Sequence, residues 1–157
     1  MTTKREVVIK LNETLIPSLV ELPSKGRMFE RMQKAIDCSC IGIGDFEYLN
    51  KLFPFESVNG RGKYCVVYDD EALLKPNYIN PIASYLYGYK DHGQAICGSV
   101  IIMKNEMTDE GLDTVGLDNK DVVKILDKLN NLPVSYKKGI NDMIQELSEM
   151  LNKRQRV

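Results

Sequence analysis

Apolar positions along this chain switch repeatedly between alternation and helical spacing, and the switches mark the predicted elements. "EVVIKL" (6–11) is rich in β-branched residues and reads as a strand. "PSLVEL" (17–22) reads as a second short strand or an extended lead-in. Over 24–36 the period changes: Met28, Phe29, Met32, Ala35 and Ile36 share one helical face, with Ser24 as the expected N-cap. "CSCIGI" (38–43) returns to strand character, ended by Gly42 and Gly44. Residues 46–55 suit a short helix carried by Phe46, Leu49 and Leu52 or Phe53 and stopped at Pro54. "NGRG" (59–62) is a turn, because Asn-Gly accepts positive φ. It leads to a strand at 63–68, a turn at Asp69-Asp70-Glu71 and a short strand at 72–75, together a hairpin.

Asn80 then caps a helix over 80–89. Pro81 stands at its first position, where no amide donor is needed, and Ile82, Tyr85, Leu86 and Tyr89 line one face. "AICGSVIIMK" (95–104) is the most apolar strand and is expected centrally, with Gly98 letting a backbone or a ligand come close. Asp118 or Asn119 caps a helix to about Asn131, its apolar face made of Val122, Val123, Ile125, Leu126 and Leu129. A last helix spans 134–152 on a stripe of Ile140, Met143, Ile144, Leu147, Met150 and Leu151. The short link through Pro133 makes this pair an αα-hairpin. The expected fold is α+β: a small mixed or antiparallel sheet packed by helices over 1–118, and a helical hairpin over 119–157 that packs on this domain or mediates homo-oligomers.

Charge changes the picture only locally. The net charge is -1, which argues against a protein whose main task is to grip a phosphate backbone. Residues 1–36 carry seven Lys/Arg and four acids, 37–119 six and thirteen, and 120–157 eight and five. A nucleic-acid-associated protein using these basic termini is the first alternative reading. No apolar run is long enough for a membrane span, and no signal-peptide pattern opens the chain, so a cytoplasmic setting with reduced thiols is expected. Cys38, Cys40, Cys65 and Cys97 sit in apolar runs and read as small buried hydrophobes, with the first two on one face of a strand. None has chelating spacing, and no metal is expected.

Candidate chemistry is sparse. His92 is the single histidine. Nucleophile elbow, phosphate loop, zincin and dinucleotide motifs are all missing, so neither an enzyme nor a cofactor is indicated. Glu106, Asp109, Glu110 and Asp113 surround Gly111, but not in the order of a calcium-binding EF-hand loop. They read as a solvated turn at the sheet's edge, with a metal-dependent hydrolase as the last-ranked alternative.

One resemblance adds to this. "CSCIGI", "YCVVYDDEALLKPNYINPIASYLYG" and "ICGSVIIMKNE…EGLDTVGL" together resemble a family of small phage and mobile-element domains (domain of unknown function 3846), over roughly 36–118. The matching positions are Asp70, Glu71, Asn80, Pro81, Ala83, Leu86, Ile96, Gly98 and Asp113. The chain departs from the pattern where members often carry Glu after the first strand. The resemblance implies a non-enzymatic accessory protein that binds a host protein or sequesters a nucleotide-like signal, with a counter-defence role. Arg61, Lys63, Asn80, Tyr85, Tyr89 and His92 are the expected ligand contacts: rings stack on bases and cations meet phosphates. The same tyrosines also suit half-buried packing on the sheet.

Overall fold

The structure, a computed structural model, describes residues 6–74 and 78–155. Its elements in chain order are β1 (Val7–Leu11), β2 (Ser18–Glu21), α1 (Met28–Ile36), β3 (Ile41–Gly44), α2 (Glu47–Asn50), β4 (Ser57–Val58), β5 (Arg61–Gly62), β6 (Tyr64–Asp69), a 3-10 turn (Ala72–Leu74), α3 (Pro81–Tyr87), α4 (Tyr89–His92), β7 (Val100–Thr108), β8 (Gly111–Val115), α5 (Asn119–Asn130) and α6 (Val134–Gln155). Every strand pairing is antiparallel, and the fold is α+β.

The sheet is built around β7, in the order β2-β1-β7-β6-β3. β6 takes residues 101–104 along one edge of β7. β1 against 100–102 and β8 against 104–108 therefore share the other edge, end to end. A bridge between Val7 and Leu117 closes the place where they meet.

Both faces of the central strands are covered, which is why "YCVVY" and "VIIM" read as continuous apolar runs rather than alternating ones. Ile9, Leu11, Tyr64, Val66, Val100 and Ile102 face α2, α3, α5 and α6 through Leu49, Ile82, Leu86, Ile125, Leu129 and Ile140. Val8, Cys65, Val67, Ile101 and Met103 face α1 through Met32 and Ile36. Burying each large aliphatic side chain there contributes about 1.5–3 kcal/mol before entropy is counted. The C-terminal helix pair thus shares the main core with the sheet.

Several boundaries differ from the sequence reading, each for a local reason. The first helix begins at Met28 instead of Ser24, because Gly26 has φ of 103°, outside helical space. Phe29 faces solvent while Met28 and Ala35 pack inward. Asp37, at φ 53°, ends α1 in a left-handed cap, so residues 38–40 reverse the chain and strand character starts only at Ile41. Cys38 and Cys40 therefore do not alternate on a strand. The predicted strand 72–75 is instead a 3-10 turn over its described residues, with Lys75 outside them. The Asp69 carboxylate accepts the Glu71 amide at 3.0 Å, and Leu74 N–H donates to the Glu71 carbonyl, so the backbone is drawn into a turn. The apolar strand begins at Val100 and runs on to Thr108, because Gly98 at φ 82° breaks the extended run before it. Val123 on α5 is exposed.

Other expectations hold. Asn59 and Gly60 have positive φ and turn β4 into β5. Asn80 caps α3, and Asp118 caps α5 with a reciprocal bond to Asp121. The acids at 106–113 sit on the β7–β8 hairpin, whose turn is tied by Thr108.

Candidate functional site

α3 organises the ground where chemistry could occur. The Asn80 side chain accepts from Ala83 N–H, and its amide donates to the Leu11 and Gly98 carbonyls at 2.9 and 3.0 Å. It is fully buried. This is the close approach that Gly98 permits: a side-chain clamp joining α3, β1 and the run into β7. Asn80 therefore has no face for a ligand, contrary to its place among the expected contacts.

Farther along α3, Tyr85 stacks on Tyr48 from α2 with centroids 5.5 Å apart, and Tyr136 from α6 meets both rings edge-on. The Tyr136 hydroxyl donates to the Tyr48 carbonyl at 2.9 Å. The Tyr48 hydroxyl donates to Asp91, and this bond raises the phenol's pKa. Gly139 lets α6 lie against Tyr85, because a Cβ there would fall 2.2 Å from the ring. Tyr85 and Tyr89, both expected contacts, line one hollow of about 120 Å³ beside Tyr48, Lys90 and Met143. Three tyrosines are thus helix glue that leaves a shallow cup.

Gly88, at φ 95°, ends α3 and starts the single turn of α4. His92 from that turn stacks on Tyr87 at 4.5 Å. Asp91 is engaged by Tyr48. Tyr87 also lines a second cleft, of about 200 Å³, with Tyr68, Asp69, Asp70, Gln94 and Cys97. Phe46 packs between its two tyrosines, with centroids 5.9 and 5.2 Å away.

Arg61 and Lys63 do not join the tyrosines. Arg61 pairs with Asp45 at 3.0 Å. Lys63 pairs with Glu56 and Asp121, both at 3.3 Å. Lys63 belongs to the densest charge cluster described, where Glu56, Asp118 and Asp121 meet Lys63, Lys104 and Lys124. Asp121 is its centre: its side chain is 1% exposed and accepts from Tyr64 at 2.8 Å and from the Asp118 amide at 3.2 Å, with Lys104 at 3.1 Å. Burial alone would raise its pKa, but the bonds from Tyr64, the Asp118 amide and Lys104 outweigh burial and hold the carboxyl well below its usual range. Burial, then Asp121, pushes the Tyr64 phenol up. On Lys63 and Lys104, burial opposes the charge and the paired carboxylates prevail, so both pKa values are raised. Asp121, Lys63 and Lys104 are thus held in their charged forms and Tyr64 in its neutral one, which suits none of these four to be a general base or nucleophile. The cluster pins the start of α5 to β6 and β7.

None of the four cysteines forms a disulfide, and their exposure differs: Cys65 is buried, Cys38 and Cys97 are partly buried, and Cys40 is exposed, against the expectation that all four are buried. Among the described residues no three His, Cys, Asp or Glu side chains group as metal ligands, those of 106–113 included. Among them also, no helix is long and apolar enough to cross a membrane.

Sequence reasoning brought Tyr85 and Tyr89 together but missed Tyr68, Tyr87, Asp70, Gln94 and Cys97. The available signal was the aromatic-acid run "VVYDDE", whose tyrosine and acids were spent on a strand end and a turn. No family model, curated protein or solved structure matches this chain.

Proposed function

We propose that the protein is a non-enzymatic binding module whose ligand surface is the tyrosine-walled ground around α3 and α4. The observation that carries this reading is the division of labour among side chains. The most densely charged groups are consumed in neutralising pairs around Asp121, while the two hollows beside α3 are walled by aromatic rings from α2, α3, α4 and β6. Such walls bind by stacking and burial without needing a reactive group. With the motif resemblance, the reading is of a phage or mobile-element accessory protein that captures a small molecule or a host protein's side chain. The phosphate half of a nucleotide-like ligand gains little support, since Arg61 and Lys63 already face carboxylates.

Nuclear magnetic resonance mapping with a broad small-molecule panel tests this. Saturable shifts confined to the residues that line the two hollows, within 68–72 and 85–97 and at 48, 139 and 143, with each compound recovered unchanged, are expected. Unmoved spectra across the panel would sink the reading, as would turnover of any member that disappears in His92→Ala.

A second reading, self-association through α6, is favoured by its last turns. Leu147 and Met150 extend the buried stripe of Ile140 and Met143, yet Met150 is 47% exposed. Asp142, Glu146 and Glu149 precede Lys153, so an antiparallel copy would set acids opposite lysine. Light scattering should give twice the monomer mass, reverting to one in Met150→Glu; a monomeric wild-type chain would end this reading.

A further inference from the structure

The cleft lined by Tyr68 and Tyr87 has a specific chemical bias. Tyr68 closes one side from the end of β6, and Tyr87 closes another from the last turn of α3. Both rings are held in place, Tyr68 over the backbone of Gly42 and both against Phe46. Asp69 and Asp70 line the cleft with them, and among the described residues no Lys, Arg or His does. The field nearby has the same sign. The exposed Cys40 thiol has its pKa raised by a bond to Glu71 and by the charges of Glu71, Asp69 and Asp70. Burial and then Asp70 raise that of Tyr68.

An anion would enter against the Asp70 carboxylate and meet the negative ring faces. A cation meets complementary charge on both counts. Size narrows the choice: at about 200 Å³ the cleft is below the roughly 300 Å³ that drug-sized ligands need, but it suits one charged group on a short aliphatic arm.

We propose that the cleft between Tyr68 and Tyr87 binds a guanidinium or alkylammonium group, with the rings contacting its face and arm and Asp70 meeting its charge. This rests on the reading of the protein as a binding module and deepens it by naming the ligand chemistry. The group comes from a free guanidino-amine or from a basic side chain of a partner protein.

The test is a titration of the full chain, followed by nuclear magnetic resonance, with agmatine and with N-acetyl-arginine amide, using N-acetyl-citrulline amide as the neutral isostere. Saturable shifts at residues 68–70, 87 and 94–97 with both guanidinium probes, and none with the citrulline, are expected. Asp70→Asn should weaken binding about two- to fivefold, the range for one partly exposed ion pair. Gln94→Lys should abolish it, because the exposed Gln94 becomes a competing cation without touching the core. Both variants should keep the wild-type melting temperature. The tighter of the two guanidinium probes names the source, free or backbone-borne. Equal binding of the citrulline, unchanged affinity in Asp70→Asn, or no shifts at millimolar probe would overturn the proposal. Shifts at these residues with neutral or anionic compounds alone would defeat the charge assignment and leave the binding module standing, whereas silence across every compound would end both.

Discussion

Replacing Asp121 with asparagine changes almost no volume and deletes the central charge of the cluster that pins α5. Four donors converge on this carboxylate: Tyr64 at 2.8 Å, Lys104 at 3.1 Å, the Asp118 amide at 3.2 Å and Lys63 at 3.3 Å. The asparagine oxygen can keep Tyr64, but its NH₂ then faces donors. Unpairing a buried ion pair costs about 3–5 kcal/mol, and a charge-assisted hydrogen bond contributes about 1.5–3 kcal/mol. The lysines are 15% and 28% exposed and can turn partly to water, so the lower range applies. The expected loss is about 2–3 kcal/mol, or about 5–10 °C in melting temperature for a chain of this length. Urea unfolding followed by circular dichroism measures it. The sign with pH is fixed by the depressed carboxyl. Its stabilisation is complete above the unfolded value of about 3.9 and is lost as pH falls through the folded one, so the wild-type advantage should shrink by about 1 kcal/mol between pH 5 and pH 3. A variant within about 0.5 kcal/mol of wild type at pH 7, typical of surface changes, would refute the assignment of Asp121 as the anchor. So would a gap unchanged by acid.

Gly139→Ala should lower stability by about 1–2 kcal/mol, because the clash with Tyr85 outweighs the roughly 1 kcal/mol of helix propensity gained; chemical denaturation checks this, and Tyr85→Leu in the same background should recover much of the loss. Asn80→Asp keeps the cap on α3 but loses both donors to Leu11 and Gly98, and a thermal melt should show about 2–4 kcal/mol of destabilisation. In native protein, Ellman's reagent should modify exposed Cys40 first and Cys65 only after unfolding, since burial pushes the Cys65 thiol up to about 12; prompt labelling of Cys65 would contradict the two-sided sheet.

Capping chemistry made much of the fold readable. Asn80-Pro81 and Asp118 state their helix starts through side chains that accept specific amides, and Asn59-Gly60 states its turn through positive φ. Boundaries failed where the backbone turned without such a marker, as at Arg27, whose side chain makes no cap, and at Asp37. The cleft was harder for a different reason. Tyr68 and Tyr87 are separated by a strand end, a 3-10 turn and a helix, and only the pairing of β3 with β6 and the return into β7 bring their surroundings together. Pairing partners such as Lys63 and Asp121 lie far apart along the chain, and no local period encodes that meeting.

The shared edge of β7 also sets a timetable for synthesis. Ile9 is synthesised about 90 residues ahead of its partner Ile102, a wait of about 5–20 s at ordinary elongation rates. Throughout that interval the nascent β1–β2 ribbon shows an unmated hydrogen-bonding rim, with Ile9 and Leu11 bare beside it. The most deeply sequestered N-terminal strand of the finished protein is therefore the one that chaperones have the longest opportunity to hold.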